Sequence, residues 1–278
     1  MDKKKRTVRV ALWCGLIAAF LVLSIILKGN GGHESLKTAM RDAVLHEKNR
    51  ISFFGRGDVA PATVSAITVT GILLFFAAIA RIFVIPRFKI VPGKLQLLLE
   101  ELVGFFDKLA KTNSPHRNSF LGMYVFGAGV YIFFGTIFEL FGIQAITTEG
   151  NAITLPAPLS DINAAIAMGC LSYLIIMSGG IAGNRLKGIG YTLKDFSLPI
   201  SMSFRLFGAL LSGLLVTELV YYNIRLSFVL PVLVGVLFTL LHALIQTYVL
   251  TMLTALFYGE VSEPKPKKSK KSKKQAVA

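Results

Sequence analysis

The sequence predicts an all-α polytopic membrane protein with about six membrane helices, the last two forming a long tilted hairpin, plus one amphipathic surface helix. Three observations carry this. Of the 278 residues, 54% are hydrophobic and the mean hydropathy is +0.64, a composition that soluble domains do not have. The apolar residues fall into runs at 8–27, 64–85, 119–142, 162–181, 196–222 and 227–257, each near the roughly 20 residues a span needs. The bases outnumber the acids 30 to 15, and they cluster between the runs as membrane topology requires.

The first run follows MDKKKRTVRV. It is long for a signal core and no A-x-A site follows it, so it reads as a retained anchor. Lys3, Lys4, Lys5, Arg6 and Arg9 put the N-terminus inside. Arg81, Arg87, Lys89 and Lys94 do the same for the end of the second run, and Arg185, Lys187 and Lys194 for the connection between the fourth and fifth. The tail after Glu263 holds seven lysines. It has no means of forming a core and reads as a disordered cytoplasmic tail touching anionic lipid. All four placements fit six spans with both ends cytoplasmic. The stretch 94–111, KLQLLLEELVGFFDKLAK, sets Glu100, Glu101 and Asp107 between apolar residues at helical spacing, which predicts a helix lying on the membrane surface. The stretch 28–63 and the tail are the longest segments expected to be exposed. Three regions result: an N-terminal anchor and external segment over 1–63, a membrane domain over 64–258, and the basic tail over 259–278.

Several function classes are excluded. No soluble catalytic domain is left over. Bases confined to loops do not form the basic face with stacking aromatics that a nucleic-acid binder presents. Cys14 and Cys170 lie in apolar runs and read as small core residues. Neither a P-loop nor a His/Cys metal-ligand spacing is present, so no cofactor and no metal is expected.

Arg205 is the exception within the apolar runs. It sits in FSLPISMSFRLFGALLSGLLV, about nine residues into the fifth run. A guanidinium stays charged at any useful pH. Holding a charge at the centre of a membrane helix costs roughly 3 kcal/mol, and such a residue marks a path for ions. The last two runs, about 27 and 31 residues, would reach roughly 40 and 46 Å as helices, more than a bilayer core of about 30 Å, so they must tilt, bend or protrude. Pro231 can start or kink the second. A short turn near Asn223–Arg225 would make them antiparallel and set Arg205 level with about residue 244. His242 and Gln246 flank that level on one face, with Thr239 nearly on it. Ser201, Gly208, Ala209 and Ser212 lie on or near the Arg205 face and permit close helix approach. Glu218 lies thirteen residues beyond Arg205, about 20 Å along the axis.

Four motifs, in order, resemble subunit a of F-type ATP synthases: VPGKLQLLLEELVGFF from Val91, LSDINAAIAMG from Leu159, RLFGALLSG from Arg205 and QTYVLTMLTALFY from Gln246. The resemblance implies a stator subunit of bacterial type in the cell inner membrane. Its tilted hairpin would hold two offset half-channels against a ring of c subunits, with the b subunits of the peripheral stalk, the remaining synthase subunits and the bilayer as further partners. It implies that Arg205 is the essential arginine facing the ring carboxylate, with Gln246 as the facing glutamine. Ser201 would be a polar position one turn before the arginine, and Asp161 and Asn163 the polar start of a helix. The family's RLFGN reads RLFGA, so Ala209 replaces an asparagine. The usual glutamate nine residues past the arginine is Leu214, and its exchange partner is Thr239. The acid of the outer half-channel is therefore missing from its place, and Glu218, one turn beyond Leu214 on nearly the same face, is the candidate to replace it, with His242 or Thr239 completing the path.

Two other classes compete with that reading. A secondary transporter would show two repeated halves with broken helices, whereas the Arg205 motif occurs once. An intramembrane enzyme would need a nucleophile or metal-ligand set, and no convincing one occurs.

Overall fold

The structure, a computed structural model, describes residues 13, 15, 50–52, 58–116, 118–148, 150, 152–222 and 230–264. The run 8–27, apart from Trp13 and Gly15, and the lysine tail beyond residue 264 lie outside the described residues.

Two strands, β1 (Ile51–Ser52) and β2 (Asp58–Val59), pair antiparallel. Helix α1 (Pro61–Ile79) starts with proline in its first turn, where the missing N–H costs nothing. It continues through a π turn (Ala80–Val84) and a 3-10 turn (Ile85–Arg87). Pro86 stands at that break and cannot supply the N–H that a continuing α-helix needs. Helix α2 (Lys94–Asn113) is the amphipathic helix expected over 94–111. Its Asp107 pairs with Lys111 one turn on. Gln96 fastens the preceding basic connection by exchanging two hydrogen bonds with the backbone of Lys89, each 3.0 Å.

Helix α3 (Ser119–Phe138) ends in a 3-10 turn, Glu139–Phe141, closed by Gly142 at φ 58°, a conformation that favours glycine. A small hairpin follows, β3 (Gln144–Ile146) with β4 (Ala152–Thr154). A 3-10 turn, Pro158–Ser160, leads into α4 (Ile162–Asn184). The short α5 (Leu186–Leu193) then folds back on α4 before α6 (Ser197–Tyr222) and α7 (Leu230–Ser262).

Four helical stretches, Pro61–Arg87, Ser119–Phe141, Ile162–Asn184 and Gly235–Ser262, are long and apolar enough to cross a membrane. The pair Lys187–Leu193 and Ser197–Gly213, bent by 48°, makes a fifth if it is one span. The chain is thus an all-α polytopic membrane protein, and the five account for the expected runs from residue 64 onward.

The core joins α2, α3, α4, α6 and α7 through Phe106, Leu121, Val125, Ile132, Ile176, Leu206, Leu250 and Tyr258. Phe106 turns inward because Gly129 of α3 has no Cβ to block its ring. A smaller cluster of Ile51, Val69, Phe138 and Leu155 ties β1 and α1 to the C-terminal end of α3.

Two features add to these expectations. The stretch 28–63 is packed where it enters the described residues: Ile51 is buried, and the N–H of Thr148 donates to the Arg50 carbonyl at 3.0 Å. Ile51 packs against Val69 of α1 and Phe138 of α3. The connection holding Arg185, Lys187 and Lys194 is largely a helix. Gly188 approaches the Gly180 carbonyl so closely that only two facing glycines permit it. Thr192 adds its buried hydroxyl to the Gly188 carbonyl at 3.0 Å, and the Tyr173 hydroxyl donates to the Thr192 carbonyl at 3.0 Å.

Candidate functional site: the Arg205 face of the long hairpin

Helix α6 has two unlike faces. Met202, Ser203, Leu206 and Leu210 are buried. Ser203 sits against Gly169 of α4, and its hydroxyl donates to the Pro199 carbonyl at 2.7 Å. Ser201, Phe204, Arg205, Gly208 and Ser212 are exposed. A Cβ added at Gly208 would meet nothing within 4 Å. Of the small residues expected to allow close helix approach, Ser201, Gly208 and Ser212 thus face away from the bundle, and no helix among the described residues occupies the space at Gly208. Arg205 forms no ion pair among the described residues. A permanent cation therefore stands on an open, small-residue stripe of an otherwise apolar helix.

Gln246 on α7 is buried, at 6% exposure, and forms no hydrogen bond among the described residues. Its neighbour Thr247 has a buried hydroxyl that likewise lacks a partner among them. His242 is half-buried, packs against the Phe238 ring at 5.9 Å between centroids, and has Nδ1 3.5 Å from where a Cβ on Gly213 would lie.

That last approach corrects the level argument. A turn centred at 224–225 would put Gly213 level with residue 236, since 449 − 213 = 236, yet its neighbour is His242. The cause is the length of the connection. Helix α6 ends at Tyr222 and α7 begins at Leu230, with Pro231 as its second residue, so the midpoint is 226. Reflection about 226 sets Arg205 level with 247, since 452 − 205 = 247. Side chains lean about one position toward their helix N-terminus, and tilt supplies the rest. Carried along the helices, the observed pair (213 + 242 = 455) sets Arg205 level with about residue 250, since 455 − 205 = 250, so the shift carries the level of Arg205 past Gln246 and away from His242.

Asp161 and Asn163 lie at the start of α4. The Asp161 carboxylate accepts from the backbone N–H groups of Asn163 at 2.7 Å and Ala164 at 3.4 Å, an N-cap of the kind worth about 1 kcal/mol. Asn163 is exposed. The backbone of Glu218 belongs to α6, but its side chain is outside the described residues, as is that of Leu214. Thr239 is half-buried.

One ionisable residue escaped the sequence reading. Glu139 closes the run YIFFGTIFE and lies within the apolar stretch Ser119–Phe141. The signal is the same as for Arg205, a charge inside a span, but it stands near the end of the run 119–142.

These features are shared with a known class. Residues 63–259 match the family described as ATP synthase A chain. Proteins named ATP synthase subunit a from two strains of Cereibacter sphaeroides are each 26% identical over 207 residues, covering 68% of this chain and 79% of the relative. The chloroplastic ATP synthase subunit a of Stigeoclonium helveticum is 30% identical over 226 residues, covering 70% of this chain and 81% of the relative. The chain belongs to the ATP synthase A chain family. It is an ion-translocating membrane component of an ATP synthase, with the stator subunit's part in proton transport and no catalytic site of its own.

Proposed function

We propose that the open face of α6 is the surface on which protons are exchanged with a ring of c subunits, with Arg205 as the coupling residue. The observation that carries this is the unpartnered guanidinium on an exposed stripe of small residues. A charge inside a bilayer needs an anion, and none of the described residues supplies one. A carboxylate presented by a passing ring helix does. Gly208 and Ser212 let that helix come close.

Arg205 then attracts the ring carboxylate, favours loss of its proton, and blocks direct leakage between two offset half-channels. Because it keeps its charge, it does not become a proton carrier itself. Gln246, whose amide has no partner among the described residues, donates or accepts beside it. Ser201 widens the polar stripe one turn before. Glu218, His242, Asp161 and Asn163 belong to the outer path, with Asp161 also serving its helix cap. The energy available is about 2.3 kcal/mol per charge per 100 mV, so many small steps are summed by rotation.

In this reading the c-ring, the peripheral-stalk b subunits and the remaining synthase subunits are the partners. The protein resides in a bacterial-type inner membrane with both ends cytoplasmic. Residues 64–258 form the channel domain, residues 1–63 the anchor and external segment, and residues 259–278 the tail.

The test uses membranes carrying the assembled complex. Arg205→Ala should abolish ATP-driven proton pumping and gradient-driven ATP synthesis while the complex still assembles. Arg205→Lys should fail almost as fully, because a compact ammonium is hydrated differently and can lose its proton. Normal pumping by Arg205→Ala membranes would overturn the reading.

A further inference from the structure

Helix α6 begins at a bend. The stretches Lys187–Leu193 and Ser197–Gly213 meet at 48°, so the direction and depth of α6 are set where α5 ends. That place is tied to the middle of α4 by a chain of hydrogen bonds. The buried Tyr173 hydroxyl donates to the Thr192 carbonyl at 3.0 Å. The same carbonyl accepts from the Asp195 N–H at 3.0 Å, and the Asp195 carbonyl accepts from the Leu198 N–H at 2.9 Å. Leu198 lies in the first turn of α6, so one side chain of α4 reaches that turn through linked bonds. Arg205 follows Leu198 by seven residues, about 10 Å along the axis.

The neighbouring contacts do little to fix that depth. Ser203 of α6 lies on Gly169 of α4, and Gly188 of α5 on Gly180 of α4. A glycine offers no side chain to engage a groove and stop a helix from sliding. Met202 and Leu206 hold one face of α6 against the core, which fixes its rotation more firmly than its height. Tyr173 stands four residues after Gly169, on the same face of α4. The Thr192 hydroxyl is committed to the Gly188 carbonyl at 3.0 Å and does not replace the tyrosine. Phenylalanine would fill the same space, so what tyrosine adds is the hold on the Thr192 carbonyl.

We infer that Tyr173 is a positioning residue for Arg205: its hydroxyl holds the α5–α6 bend on α4 and so sets the depth at which Arg205 meets the ring carboxylate. The inference rests on the ion-translocation reading above. Tyr173 moves no proton itself. It acts through the backbone of Thr192, Asp195 and Leu198, and without its bond α6 slides along its glycine contact and carries Arg205 off level.

The experiment places Tyr173→Phe in membranes with the intact complex. Single cysteines at Phe204, Gly208 and Ser212, one turn apart on the open face, report the height of α6 through their cross-link yields to the ring protein. Turnover per assembled complex is read as ATP synthesis driven by an imposed proton gradient. Misplacing a reacting group by about 1 Å can cost about 100-fold, and the packing of Met202 and Leu206 limits the movement, so Tyr173→Phe should lose about fivefold or more in turnover. Assembly should be unchanged, and the strongest cross-link should move to a neighbouring position of the three. The control is Tyr124→Phe, which removes another tyrosine hydroxyl bonded to α4, 2.7 Å from Ser172 Oγ, without touching the bend. It should keep the parental pattern and rate. A parental cross-link pattern or parental turnover in Tyr173→Phe, with Arg205→Ala inactive, would overturn this inference and leave the function standing, as would equal changes in Tyr124→Phe. Parental turnover in Arg205→Ala would overturn the function as well. Failure of Tyr173→Phe to assemble would make the hydroxyl structural and overturn the proposal.

Discussion

The C-terminal end of α7 and the Arg205 face of α6 belong to one hairpin, and they are built in opposite ways. At the end of α7, backbone meets backbone. Gly259 receives the Asn113 carbonyl, and Gly183 lies on the Ser262 carbonyl. Asn184 donates to the Val261 carbonyl at 3.1 Å and to the Glu263 carbonyl at 2.9 Å, satisfying orphan acceptors of the helix end. Along α6 at Gly208, no atom of the described residues outside its own helix turn comes within 4 Å of an added Cβ. The same residue type thus serves two ends: where the chain closes on itself glycine fixes a helix, and at Gly208 it leaves open the space that the proposed partner would fill. The first region should respond to substitution through stability, the second through turnover.

The largest effect is expected at the closed contacts. Gly188→Ala or Gly259→Ala would drive a methyl into a backbone carbonyl, and backbone cannot swing aside as a side chain can. Overpacking of this kind costs about 1–3 kcal/mol or more. Both variants should lower the yield of assembled complex and its midpoint of thermal dissociation, and parental yields would show these approaches to be looser than described.

Next comes the cap of α7. Asn184→Ala removes two donors and should cost about 1–3 kcal/mol, read as easier proteolysis near residue 260 with little change in turnover per assembled complex. Asp161→Ala should cost about 1 kcal/mol by uncapping α4, whereas Asp161→Asn keeps the cap. Thermal midpoints that fall equally in both Asp161 variants would contradict the capping geometry. Asp161→Asn also separates the two roles assigned to the residue. An intact midpoint with slowed gradient-driven synthesis would mean that its charge serves the ion path.

The smallest effect on stability is expected on the open face. Gly208→Ala has room within the chain and should leave the isolated subunit unchanged while slowing pumping several-fold, since the added methyl meets the partner. The register of the hairpin is tested by cysteines at Gly213 and His242, which should cross-link through a short reagent. A cysteine at residue 236 pairing with residue 213 instead would restore the shorter turn.

What could be read in advance followed from how many residues carry each signal. Apolar runs of about 20 residues mark spans redundantly, so five of them were placed within a few residues of their helices. Arg205 was legible because one permanent charge among apolar residues has no cheap structural explanation. The close glycine contacts were not legible, because Gly180 and Gly188 look like any small residues until the helices carrying them are docked. Helix α5 was hidden by its own bases, which mark the side of a membrane but not the backbone conformation. The level of Arg205 was misplaced because helix ends cannot be read to better than a few residues, and each residue of error in the midpoint shifts the partner by two. Glu139 was legible by the rule applied to Arg205 and was lost at the edge of its run.

The central claim is that the Arg205 face of α6 meets a protein outside this chain. Single cysteines at Gly208 and at Leu206, in the assembled complex, test it most directly. The account predicts that Gly208→Cys cross-links to a small hydrophobic ring protein, with the yield falling when Arg205 is also replaced by alanine, and that Leu206→Cys, on the buried face, does not. A ring cross-link from Leu206→Cys with none from Gly208→Cys would contradict it.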